Sequence, residues 1–224
     1  MSPAVNAARP GTIAQHAVEG LRRALTSGEL SPGDKVRQEE IADALGTSLS
    51  PVREALAVLE QEGQVTYLPR RGYFVTELRM ADLEEIYALR RVLEGRAARE
   101  ALPAIGPDAM VRIEAAAADC GAAAAAGDVA GELAANRRFH FAILEAPGNP
   151  HAMRIIRVLW DSTEAYRALY YNSPEERGRS LEAHERILDA LRAGDADRLV
   201  AELDAHRDRA LAVLRDVLAG YQSV

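Results

Sequence analysis

Glu40-Ile41-Ala42-Asp43-Ala44-Leu45-Gly46, followed by Ser50-Pro51-Val52-Arg53-Glu54-Ala55-Leu56, decides how this 224-residue chain is read. The first run reads as a short helix over about 38–45, with Ala42 small where a second helix must pack close. Gly46 supplies the backbone freedom of a tight turn. The second helix is expected to begin at Ser50-Pro51, because serine caps helices and proline suits the first helical position. Ile41, Leu45, Val52 and Leu56 can then share one core. This is the grammar of a helix-turn-helix, whose second helix offers its N-terminal end to the major groove of double-stranded DNA. Arg53 lies in the first turn of that helix, where a cation opposes the helix dipole. A phosphate or guanine partner accounts for it, and so does a salt bridge to a neighbouring acid.

Working outward, Ile13, Ala17, Leu21 and Leu25 recur at helical spacing from Thr12 on, and this helix should stop near Gly28. Ser31-Pro32-Gly33-Asp34 reads as a turn. On the other side, Val65–Leu68 and Tyr73–Thr76 read as two short strands of a hairpin around Pro69-Arg70-Arg71-Gly72. Arg70 and Arg71, beside Gly72 at the tip, suit phosphate or minor-groove contact, or form a solvated turn. Beyond Thr76 the pattern is helical throughout, over about 80–102, 108–126, 128–146, 150–171, 175–193 and 195–221. The Ala-rich stretch around 115–126 reads as helix, since alanine has the highest helix propensity. Residues 1–11 are small and Pro/Gly-bearing and read as a frayed end. The expected fold is mainly α, with a winged helix-turn-helix over 1–78 and an all-α helical bundle over 79–224.

Composition agrees with a soluble globular chain, with 48% apolar and 27% charged residues. No apolar run reaches the roughly 18 residues of a membrane helix, and no basic start precedes an apolar core as in an export signal. Cys120 is the single cysteine, so no intrachain disulfide is expected, which fits a cytoplasmic protein. The net charge of −7 argues against nucleic acid, but the first third of the chain is close to neutral and the acidic excess lies beyond it. Clustered cations on a neutral unit can still bind DNA.

Five histidines occur, at 16, 140, 151, 184 and 206. His140, His184 and His206 fall on three separate helical segments, and Asn136, four residues before His140, shares its helix face. Three imidazoles and an amide oxygen converging in a bundle make a divalent metal site, with zinc or nickel suited to those donors. Equally, each histidine is a core or surface residue of its own helix. Tyr166, Arg167 and Tyr170 either line a cavity in the same bundle or pack its core and rim.

The runs Gly33-Asp34-Lys35-Val36, Leu45-Gly46-Thr47-Ser48, Ser50-Pro51-Val52-Arg53-Glu54-Ala55-Leu56, Glu62-Gly63 and Arg71-Gly72-Tyr73-Phe74-Val75 together resemble the GntR family of transcription regulators. Family members often carry an arginine at the position of Leu49 and read a guanine with it. Its replacement shifts weight to Ser48, Ser50, Pro51, Arg53 and the wing. Asn136-Arg137-Arg138-Phe139-His140, Gly148-Asn149-Pro150, Glu182–Leu191, Gly194-Asp195 and His206 are similar to the all-helical FCD effector domain of the FadR-type branch. That resemblance implies a metal held by an Asp and three His beneath a site for a small organic acid. Carried over, the ligands are Asn136, His140, His184 and His206, with a neutral Asn in place of the Asp. It also implies a role for Arg90 in pairing with an effector carboxylate; a salt bridge to Glu94 at i+4 is the alternative. The whole chain is then expected to be a homodimeric, ligand-responsive repressor on a pseudo-palindromic operator. Two other readings stand beside it. One keeps the regulator but lets the histidines bind the acid without metal. The other is a metal enzyme on the bundle, disfavoured because no nucleophile motif or general base accompanies the histidines and the winged helix would go unexplained.

Overall fold

The computed structural model describes residues 13–171 and 173–221, and of 168–170, 220 and 221 the backbone only. The expected fraying of 1–11 and the side chain of Tyr170 lie outside the described residues. Helix α1 (Ile13–Ser27) buries Ala17, Leu21 and Leu25 of the expected stripe together with Ala24, while Ile13, at the first position of the helix, is exposed. A two-residue strand β1 (Lys35–Val36), α2 (Gln38–Ala44) and α3 (Leu49–Gln61) follow, then β2 (Val65–Leu68) and β3 (Gly72–Val75). The three strands form an antiparallel sheet in the order β1-β3-β2, with Val65 opposite Val75 and Leu68 opposite Gly72. Gly46 joins α2 to α3 with φ +61, a left-handed conformation that glycine adopts without steric cost. Val52, Leu56 and Leu59 of α3 pack with Leu21, Val36 and Val75 in one core.

Two details differ from the sequence reading. Helix α3 starts at Leu49 with Ser48 in the cap position, so Ser50 and Pro51 lie inside the first turn. Proline is tolerated there because the first-turn N–H groups have no intrahelical partner to lose. No strand is read from the sequence at β1, just after the turn at 31–34; its two residues are held by pairing Lys35 with Phe74 and Val36 with Tyr73.

The remainder is helical among the described residues: α4 (Met80–Ala101) with a 3-10 turn at Leu102–Ala104, α5 (Pro107–Ala126), α6 (Val129–Leu144), α7 (Pro150–Asp161), α8 (Glu164–Tyr171), α9 (Pro174–Ala193) and α10 (Ala196–Tyr221). The Ala-rich segment is ordered helix in α5, capped by Gly127 at φ +70. The stretch 150–171, read as one helix, is two. Ser162 Oγ bonds the Leu159 carbonyl at 3.1 Å and Thr163 Oγ1 the Trp160 carbonyl at 3.1 Å. These hydroxyls take carbonyls at a helix end, as serine and threonine do. The bundle core holds Phe139, Ile143, Ile156, Trp160, Ile187 and Leu199. Helix α8 also touches α1, and Ala165 packs against the core of the N-terminal unit. No helix among the described residues is long and apolar enough to cross a membrane.

Candidate functional site

The exposed end of α3 carries the residues expected to meet DNA. Ser48, Ser50 and Arg53 are exposed and Pro51 half-buried, while Val52, Ala55 and Leu56 on the opposite face are buried. Arg53 Nε donates to the neutral amide oxygen of Gln38 at 3.1 Å rather than to a carboxylate, so its charge is not cancelled by that contact. At the wing tip, Arg71 N–H donates to the Leu68 carbonyl at 3.0 Å, closing a turn through Pro69 and Arg70. Arg70 has φ +65, a conformation that side chains other than glycine's rarely adopt. That conformation costs on the order of 1 kcal/mol at a residue other than glycine, and it is the one that the third position of such a turn takes. Arg71 lies 5.1 Å from the Phe74 ring centroid. Sequence reasoning missed Lys35, Arg37 and Gln38, which line one groove with Arg71 and Gly72. The missing signal was β1 itself: only its pairing with β3 brings Lys35 beside the wing.

The second constellation lies in the bundle. Asn136 and His140 project from one face of α6, His184 from α9 and His206 from α10. One ring nitrogen of each histidine lies within 4.8 Å of the others. Asn136 Oδ1 lies within hydrogen-bond distance of His184 Nε2, at 3.0 Å. Asn136, His140 and His184 are at most 4% exposed, and His206 is half-buried. Burial pushes the His184 imidazole down to about 3, and burial with the adjacent imidazoles holds His140 and His206 well below the ordinary histidine range. All three are therefore neutral near pH 7 and keep a lone pair. Nδ1 of His140 and of His184 is buried with no hydrogen-bond partner, and such unsatisfied atoms are uncommon in folded proteins. The four side chains thus fit a borderline divalent ion.

Against this cluster lies a cavity of about 30 Å³, room for an ion or a water or two. Arg90 and Arg167 line it, and both guanidiniums stack on Trp160, at 4.3 and 4.2 Å from the ring centroid. Glu94 is the residue that sequence reasoning did not place here. It is 1% exposed and accepts from Arg90 Nε at 2.7 Å, Arg207 Nη1 at 2.6 Å and Trp160 Nε1 at 2.8 Å. Burial alone would push its carboxyl up, but Arg90 and Arg207 outweigh that and hold it below the usual carboxylate range. Arg90 lines the cavity and is paired with Glu94 there, in a buried ion pair rather than a surface one. Arg167 has a weaker partner, Glu164 at 3.5 Å, and its Nη1 makes no hydrogen bond. Tyr166 does not line the cavity. It packs in the bundle with Leu83, Tyr87 and Leu133, and its hydroxyl lies 2.5 Å from the backbone N of Leu78 and 3.3 Å from the Leu78 carbonyl, in the segment between β3 and α4.

The chain is similar in sequence and in fold to known proteins. The gntR family of bacterial regulatory proteins matches residues 13–75, and the FCD domain matches residues 85–209. Escherichia coli McbR is 28% identical over 79% of this chain and 81% of its own length. Its solved structure superposes with a TM-score of 0.83 at 25% identity, covering 93% of this chain and all of that one. Bacillus subtilis LutR is 29% identical over 88% of this chain and 97% of its own length. A probable D-xylose utilization operon transcriptional repressor of Paenarthrobacter nicotinovorans is 30% identical over 87% of this chain and 85% of its own length. The chain belongs to the GntR family in its FCD-bearing branch, and is a DNA-binding transcription regulator rather than an enzyme.

Proposed function

We propose that this regulator is a cytoplasmic, homodimeric repressor whose bundle binds a divalent metal and a small organic acid. Its units are a DNA-binding part over 1–78 and an effector part over 79–224. Ser48, Ser50, Pro51, Arg53, Arg70, Arg71 and Gly72 meet a pseudo-palindromic operator, with two-fold pairing of copies doubling the site. Asn136, His140, His184 and His206 hold zinc or nickel, and the ion supplies an open position for a ligand oxygen. The observation that carries the metal is the convergence of three neutral imidazoles within 4.8 Å, two of them buried and that of His206 half-buried. Repression is the action ascribed to the Paenarthrobacter relative.

The cavity is too small for an organic acid as it stands. The acid's carboxylate takes a guanidinium, that of Arg90 in exchange for Glu94 or that of Arg167 in exchange for its loose Glu164 contact. The second exchange bears on DNA binding through α8. Arg167 faces the cavity, while its neighbour Tyr166 is tied to Leu78 and Ala165 packs against the N-terminal core. A shift of α8 moves both, which is the differential contact that a two-state switch needs.

Titration of the chelator-treated protein with zinc and with nickel by calorimetry tests the metal, and His184→Ala should abolish most of the binding while retaining operator binding. If neither ion binds near neutral pH, and chelator leaves the melting temperature unchanged, the histidines bind the acid directly or pack the core.

A further inference from the structure

We propose that the groove between α9 and α10 is the access port to the buried site, and that His206 is its gate as well as a ligand. This rests on the metal reading above. The internal cavity is closed by side chains at most 6% exposed, except at His206 and Ala210, both on α10. His206 also lines a separate surface groove of about 350 Å³, together with Arg179, Glu182, Arg186, Ala205 and Arg209. One imidazole thus stands between the inner cavity and an outer recess, and rotation of that ring connects them. The other three ligands are at most 4% exposed, and none of them lines that groove.

The rim suits traffic of small ions. Arg186 pairs with Glu202 at 3.0 Å and Arg179 with Glu175 at 2.6 Å, and each pair has one member about half exposed. Arg209 pairs with Glu176. Such pairs are weak in water and exchange partners readily, so the rim offers both carboxylates to an incoming cation and guanidiniums to an incoming acid.

The test plugs the groove and reads the metal alone. Ala205 is exposed within the groove, so Ala205→Cys leaves the core untouched and takes a bulky maleimide. Cys120 stays unlabelled, because it is fully buried and burial pushes its thiol up to about 12. Ala115→Cys, exposed on α5 and outside the groove, is the labelled control. Stopped-flow zinc uptake, and zinc release to a chromophoric chelator, are then measured. Both rates should fall at least tenfold in labelled Ala205→Cys, with zinc occupancy at equilibrium unchanged because the ligands are intact. Rates equal to those of the labelled control overturn the port while leaving the metal reading in place. Failure of the unlabelled protein to bind zinc overturns the metal reading, and the port with it.

Discussion

Replacing Glu94 with Gln should cost the bundle about 3–5 kcal/mol, the range measured when one partner of a buried ion pair is removed. The geometry says where the loss arises. Oε1 accepts from Arg90 and Trp160, and Oε2 from Arg207. An amide can keep its oxygen toward the first two, but its NH2 group then faces the Arg207 guanidinium, donor against donor. Two buried cations are left without their shared anion. Arg207 retains Asp204 at its other nitrogen, which keeps the loss from growing further. At roughly 2–4 °C per kcal/mol for a chain of this size, the melting temperature should drop by about 6–20 °C.

Trp160 is the single tryptophan and donates to Glu94, so its fluorescence reports unfolding at the perturbed point itself. The pH dependence gives an independent check. The folded-state pKa of Glu94 is depressed, so its contribution is present above the ordinary carboxylate pKa of about 4 and is lost as pH falls through the folded value. The gap between wild type and Glu94→Gln should be full at pH 7 and narrow progressively in acid. A loss under about 1 kcal/mol at pH 7, or a gap that does not change with pH, refutes the account of Glu94 as the anion that holds the two arginines.

Two further outcomes follow from the DNA-facing residues and from α8. Arg53→Ala removes an exposed cation whose contact in the free protein is the amide of Gln38, so operator affinity should fall at least tenfold with the melting curve unchanged; gel-shift titration at fixed salt checks it, and equal affinity would misplace the recognition helix. Tyr166→Phe removes the hydroxyl that bonds Leu78 and should cost about 1 kcal/mol of stability; zinc binding should persist by calorimetry while the operator affinities of the metal-free and zinc-loaded forms converge, and an undiminished difference would remove α8 from the coupling.

What was legible in the sequence, and what was not, divides along a physical line. The helix-turn-helix could be read because its determinants are local: Gly46 in its turn, and Val52, Ala55, Leu56 and Leu59 along one face of α3. The Asn136–His140 pair was legible for the same reason, as i and i+4 on one helix. The meeting of His140 with His184 and His206 was expected from resemblance, since nothing in their spacing brings three helices to one point. Strand β1 is two residues long and has no periodicity to read. The α7–α8 break has neither glycine nor proline and is made by two hydroxyls turning back on carbonyls. Glu94, four residues after Arg90, has the spacing of an ordinary surface pair, and only its 1% exposure and its bonds from Trp160 and Arg207 distinguish it. Tyr166 and Arg167 were each open to a cavity or a core reading, and since successive helical residues point in different directions, Tyr166 packs in the core while Arg167 lines the cavity. That divergence puts the Tyr166 hydroxyl on the Leu78 backbone and the Arg167 guanidinium in the cavity wall. The residues hidden from sequence reasoning are those whose partners lie on another element, and coupling between two sites has to be built from such residues.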